Sequence, residues 1–273
     1  MADPALVRRR SHPSLTGLVA GIVGFTERSD DPVERRQPAG SLLPLVVSFG
    51  DPLEVVSLSA GEGLGRHASF MVGFMPGHAT TRFVGTQRCV QVYLTPLGAY
   101  RLLGLPGQEL ARRVVDLGDV APFLGGSMPD RLAAAPTWAA RTALVEQSLL
   151  SVLDAGPEPE PLVTWLWDRI RASAGRARID DLVAQTGWSH RHVTARFREQ
   201  IGLPPKAAAG IVRFERATAA MRGTSLADVA AEHGYADQSH FAREVVRYAG
   251  ESPSALLAAQ RPTAYTALDT RPL

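Results

Sequence analysis

Seven histidines, one cysteine and 27 carboxylates are what this 273-residue chain offers for catalysis or metal binding, and their spacing does not gather them. Metal sites draw His, Cys or carboxylate ligands from clustered positions. In the first half, His12, His67 and His78 stand far apart, with neither a His-x-His pair nor a Glu at ligand spacing, so no metal and no cofactor are expected. No G-x-S-x-G turn presents a nucleophile. Cys89 is alone, which excludes an intramolecular disulfide and a cysteine-based zinc site. Its place in an apolar run predicts a buried, inert thiol. Enzyme chemistry is therefore not expected. What remains is hydrogen bonding from polar side chains at helical spacing. Ser189, His190, Arg191, Thr194 and Arg198 form one run, Gln238, Ser239, Arg243 and Arg247 another, and Arg213 lies between them. Arginine grips guanine bidentately and glutamine pairs with adenine, whereas hydroxyls and further arginines suit phosphates.

A repeat positions these groups. Ile179, Leu182, Val183, Gly187 and Trp188 return 47 residues later as Leu226, Val229, Ala230, Gly234 and Tyr235. After the aromatic the second copy is one residue longer, so Val193, Phe197 and Gly202 match Phe241, Val245 and Gly250. Each copy reads as helix, glycine turn and capped helix, a helix-turn-helix whose second helix suits a major groove. Ser189 and Asp237 are N-caps, Ser225 and Asp228 have capping-box spacing, and Gly202 and Gly250 fit a left-handed stop. Projection at about 100° per residue turns Val193 and Phe197 inward and Arg191, Thr194, Ala195 and Arg198 outward. In the second copy it turns Phe241, Val245 and Tyr248 inward. Ser239, Ala242, Arg243 and Val246 then face outward, with Gln238 at the helix entry. Arg191, Arg243 and Gln238 are the strongest base readers. Ser189, His190 and Thr194 suit bases or phosphates, and Arg198, Arg213 and Arg247 suit phosphates. The helix between the copies, Pro204 to Met221, spans ~27 Å, close to the ~34 Å between successive major-groove turns. Gly210 inside it marks a bend or a close contact.

The rest of the chain has a different pattern. Apolar runs at Leu42 to Phe49, Leu53 to Leu58, Ser69 to Phe74, Thr80 to Val84 and Cys89 to Leu94 are bounded by Gly, Pro or Asp and read as short strands. Helical spacing follows from Pro96. Asp154 to Pro161, rich in Pro, Gly and Glu, reads as a linker. The expected fold is α+β: a β-rich, barrel-like domain with trailing helices over 1–155, a linker at 156–160, an all-α double helix-turn-helix domain over 161–260 and a tail at 261–273. Residues 1–155 hold 14 basic and 14 acidic side chains, whereas 169–247 hold 13 and 8, an excess that suits a phosphate backbone. The basic start lacks the apolar run of a signal peptide, and no stretch reaches membrane-span length. A cytoplasmic place, on the nucleoid through DNA, is expected.

The runs GWSHRHVTARFREQIGLPPK, IVRFERATAAM and SLADVAAEHGYADQSHFAREVVRYAGESPSALL resemble the DNA-binding domain of the AraC/XylS family of bacterial transcription regulators. That resemblance implies seven helices, two of them recognition helices, and no catalysis. Ala208 departs from the family's usual aromatic and Val245 from its usual Phe. The resemblance also implies an N-terminal, often cupin-like, domain that senses an effector or makes a homodimer, and contact with RNA polymerase if the protein activates. Phe49, Phe70, Phe74, Phe83 and Tyr93 are the candidate lining of an apolar effector pocket, against the plainer reading of strand aromatics as core. Two alternatives stand beside the regulator. One is a small-molecule-binding protein or enzyme of the N-terminal barrel with a degenerate helix-turn-helix, and the other is a non-specific architectural DNA binder.

Overall fold

The structure is a computed structural model that describes residues 5–259; the tail expected at 261–273 lies outside them. The first half carries strands β1 Ala5–Arg9, β2 Val19–Gln37, β3 Leu43–Ser48, β4 Leu53–Leu58, β5 Gly65–His67, β6 Phe70–Val72, β7 Ala79–Leu94 and, further on, β8 Val114–Asp116. Helices α1 Pro96–Leu103, α2 Gly107–Leu110, α3 Leu117–Val120, α4 Met128–Ala134 and α5 Trp138–Val152 follow β7 and flank β8. The second half is helical: α6 Pro161–Ala172, α7 Ile179–Ala184, α8 His190–Ile201, α9 Pro205–Ala220, α10 Leu226–Glu232, α11 Gln238–Ala249 and α12 Pro253–Ala258. No helix among the described residues is long and apolar enough to cross a membrane.

All named strands pair antiparallel in one sheet of order β1-β2-β7-β3-β6-β8, with β4 joined to β7 and β5 to β4. Its spine is the β2–β7 ribbon, in register from Val19 opposite Leu94 to Gln37 opposite Ala79. The runs at 80–84 and 89–94 are one strand, continuous through Gly85, whose φ of 90° is open to a residue without Cβ. The 19-residue β2 was not expected at all, because Asp30, Asp31 and Pro32 look like a break. A register shift between Ser29 and Val33 absorbs them, since a bulge leaves extra residues unpaired and lets the ladder resume.

One sheet face buries Ile22, Leu45, Val47, Val90 and Val92 beneath Leu102, Leu117, Val145 and Leu149. Helix α5 lies close because Gly24 has no side chain; a Cβ there would sit 2.5 Å from the Trp138 ring. The opposite face holds Phe25, Val46, Val55, Phe70 and Cys89. It also holds a buried Glu27 that takes both arms of Arg35 at 2.7 and 2.5 Å. Burial pushes the Cys89 thiol up to about 12, so it stays un-ionised and poorly nucleophilic at neutral pH.

The helical half shares its core with the strand-bearing half. Phe197, Phe214 and Phe241 are fully buried there, and Ala39, Phe74 and Leu97 from the first half join the same cluster. Phe74 meets Trp167 edge-on at 6.1 Å. The chain between α5 and α6 is tied down by Arg101, which donates to the Gly156 carbonyl at 3.0 Å and pairs with Glu158 at 2.6 Å.

Candidate nucleic-acid interface

In the first copy, α7 turns into α8 through Gly187 at φ 72°. Ser189 caps α8 by accepting the His192 N–H at 3.3 Å, and Gly202 at φ 102° ends it. Val193 and Phe197 are buried against the core. Arg191 and Arg198 are exposed with no side-chain partner among the described residues. His190 lies 3.4 Å from Asp180 and 3.3 Å from the Thr194 hydroxyl, so both are held in place at the mouth of the helix.

The second copy repeats the design. Gly234 turns at φ 73°, Asp237 accepts the His240 N–H at 2.6 Å, and Gly250 closes α11 at φ 74°. Ser225 accepts the Asp228 N–H at 3.1 Å and donates its hydroxyl to that carboxylate at 2.6 Å. Phe241, Val245 and Tyr248 are buried, and Gln238, Ser239 and Arg243 are exposed; Val246 is 51% exposed. Arg247 is exposed, 3.6 Å from Glu244 and stacked over Tyr248.

Arg213 sits differently from the other arginines. Half-buried on α9, it pairs with Glu244 of α11 at 3.2 Å and lies 4.5 Å over the Tyr235 ring. A guanidinium so engaged joins α9 to α11. Burial pushes the Tyr235 phenol up to about 12, so it remains protonated. Gly210 turns out to mark a close contact: a Cβ there would lie 2.8 Å from the Tyr248 hydroxyl.

The C-terminal ends of α8 and α11 dock on the linker and on the first half, through contacts that no local sequence pattern marks. Gln200, buried on α8, accepts the Glu160 N–H at 3.0 Å, and Arg196 pairs with Glu160. The α2 backbone touches the end of α8 so closely that a Cβ on Gly107 would sit 2.3 Å from the Gln200 carbonyl. At α11, the Tyr248 and Gly250 carbonyls accept hydrogen bonds from Ala39 N–H at 2.9 Å and Arg36 at 2.7 Å. Between these two points Glu215 of α9 accepts the Ser41 N–H at 2.8 Å. Burial raises its carboxyl to about 7, opposed by the bond to Ser41 and by Arg216 and Arg171. The contacts hold the helix tails and leave the helix entries to solvent.

The five aromatics read as an effector pocket are not brought together. Phe74 lies in the core shared by the two halves, Phe70 and Tyr93 fall in separate clusters on the sheet, and buried Phe83 is stacked by Arg35. Phe49 alone of the five borders a groove of about 570 Å³, with Thr26, Arg28, Gly50, Asp51, Thr86 and Arg88. Arg141 covers Phe49 and Trp138 beside it, at 5.2 and 4.9 Å. No group of three or more His, Cys, Asp or Glu side chains able to hold a metal ion occurs among the described residues.

Residues 182–259 match the family model described as a helix-turn-helix domain. They form a helix-turn-helix of the AraC type within the chain. In fold it is similar to ToxT of Vibrio cholerae. An apo form of that protein aligns at 10% identity and a TM-score of 0.50, covering 93% of this chain and 100% of the other. A ToxT structure with an unsaturated fatty acid bound aligns at 9% identity and a TM-score of 0.49, covering 91% and 96%. No curated protein matches the chain by sequence.

Proposed function

We propose that the protein binds a specific duplex site by laying α8 and α11 in two adjacent major grooves. Arg191 reads bases from the first, and Gln238, Ser239 and Arg243 from the second. Ser189, His190 and Thr194 meet bases or phosphates at the first entry, and Arg198 and Arg247 meet phosphates. The observation that carries this reading is that Arg191 and Arg243 stand exposed, with no side-chain partner among the described residues, on the outward faces of two helices that the 16-residue α9 and α10 separate. Arg213 acts through position, holding α11 against α9.

Residues 1–155 are the controlling domain, 156–160 the linker and 161–260 the DNA-binding domain. The contacts of Gly107 with α8 and of Ala39 and Arg36 with α11 support this, because whatever shifts the first half shifts both helix tails. A small-molecule effector is expected to act on the first half, and the groove beside Phe49, open and lined mainly by polar side chains, would suit a polar ligand rather than an apolar one. Homodimerisation, and contact with RNA polymerase if the protein activates, complete the expected partners. The site of action is the cytoplasm, at the nucleoid.

Selection of bound duplexes from a random library at ~150 mM salt tests the central reading, since weak electrostatic binding is already penalised there. Enrichment of two blocks about one helical turn apart is expected. Equal recovery of all sequences would replace the reading with non-specific binding, and no recovery together with a bound small molecule would favour the degenerate-domain alternative.

A further inference from the structure

Trp188 is 57% exposed, while Tyr235, its counterpart in the second copy, is 5% exposed. The indole precedes Ser189, the N-cap of α8, and stacks on His192 with centroids 4.5 Å apart and planes 21° from parallel. In projection His192 lies on the flank of α8, between the outward face of Arg191 and Ala195 and the side where Arg196 reaches Glu160. A helix seated in a major groove turns its outward face to the base edges and its flanks to the two walls, which are sugar and phosphate. The paired rings therefore stand where a wall would be.

We infer that Trp188, stacked on His192, is a DNA backbone contact of the first helix-turn-helix, packing on a sugar and directing its indole N–H to a phosphate on the wall of the groove read by α8. Three features favour DNA over another occupant. Indole Nε1 is a donor with no acceptor capacity, which matches a phosphate oxygen. The neighbouring exposed side chains, Arg191 and Arg198, are cationic and unpartnered among the described residues. The N-terminal end of α8, whose first N–H groups beyond the one capped by Ser189 have no helical partner, opens at the same place and favours an anion. The second copy lacks such a contact because Tyr235 is folded inward beneath Arg213. The two copies thus grip the backbone differently.

This inference rests on the DNA-binding reading but does not need sequence specificity, so it is tested on a mixed-sequence duplex of about 30 base pairs at ~50 mM salt, where phosphate contacts alone sustain binding. Labelled-duplex anisotropy reports binding in the full-length protein, and tryptophan emission with acrylamide quenching reports Trp188, the most exposed of the four tryptophans. Duplex is expected to change the emission and shield the exposed indole. Trp188→Phe should abolish that change while still binding, and Trp188→Ala should weaken binding about 3- to 10-fold, the effect of one net hydrogen bond and its packing. Duplex bound with emission and quenching unchanged, and Trp188→Ala binding as tightly as the parent, would overturn this contact and leave the regulator reading intact. Shielding that follows protein concentration rather than duplex would assign the indole to a second copy of the chain instead. Failure to bind any duplex would remove both readings.

Discussion

The two helix-turn-helix copies share spacing, caps and glycine turns, yet they are braced by different means. In the first, the aromatic after the glycine is exposed, and the helix is steadied from behind by Gln200, Glu160 and the bare backbone of Gly107. In the second, the aromatic is buried and clamped by Arg213, itself paired with Glu244. The two inward positions also hold the same residue types in opposite order, Val193 then Phe197 in α8 and Phe241 then Val245 in α11. One repeat thus supports two roles. The first copy is the one more closely docked on the strand-bearing half, and the second derives more of its rigidity from the helical half itself.

The largest expected effects are common to both copies. Phe197→Ala and Phe241→Ala should each cost about 3–5 kcal/mol in chemical denaturation, as fully buried aromatics do when truncated. Arg213→Ala separates the copies more sharply. Removing Arg213 leaves Glu244 only its exposed partner Arg247, so the cost should be about 2–3 kcal/mol, below the roughly 3–5 kcal/mol of a fully broken buried pair, and hydrogen-exchange protection should fall in α10 and α11 more than in α7 and α8. Gln200→Ala should do the reverse at about 1–2 kcal/mol, freeing the linker N–H and loosening α8 while α11 keeps its protection. Equal loss of protection in both copies from either variant would dissolve the distinction.

A smaller effect is expected from pH. Burial lifts Glu215 from its ordinary 4.5 to about 7 in the folded chain, so the folded state holds that proton more tightly than the unfolded one. The resulting stabilisation is complete below the unfolded value and is lost as pH rises through about 7. Between pH 5 and 8, at intervals of about one unit, Tm should fall further in the parent than in Glu215→Gln. Parallel profiles would show that this carboxyl does not titrate in that window.

Legibility from sequence followed the range of the interactions. The helices of the DNA-binding half were readable because their limits are local: a Ser or Asp cap, a left-handed glycine and a period of 3.6 lie within a dozen residues. The β2–β7 ribbon was not, since its pairing joins residues up to 75 positions apart, from Val19 to Leu94, and polar residues such as Glu27 and Ser29 are buried by partners no local pattern reveals. The different placements of Trp188 and Tyr235 were equally hidden, because the repeat gives them equivalent positions. The docking of Gly107 on α8 depends on a missing side chain facing another element, which no periodicity reports.

The central claim is that α8 and α11 each read their own groove. The most direct test compares the base preferences of Arg191→Ala and Arg243→Ala, position by position, on a selected duplex. The account predicts that each variant loses about 1–3 kcal/mol of discrimination within one block only, and that the two blocks lie about one helical turn apart. Loss of the same block by both variants, or of neither, would contradict it.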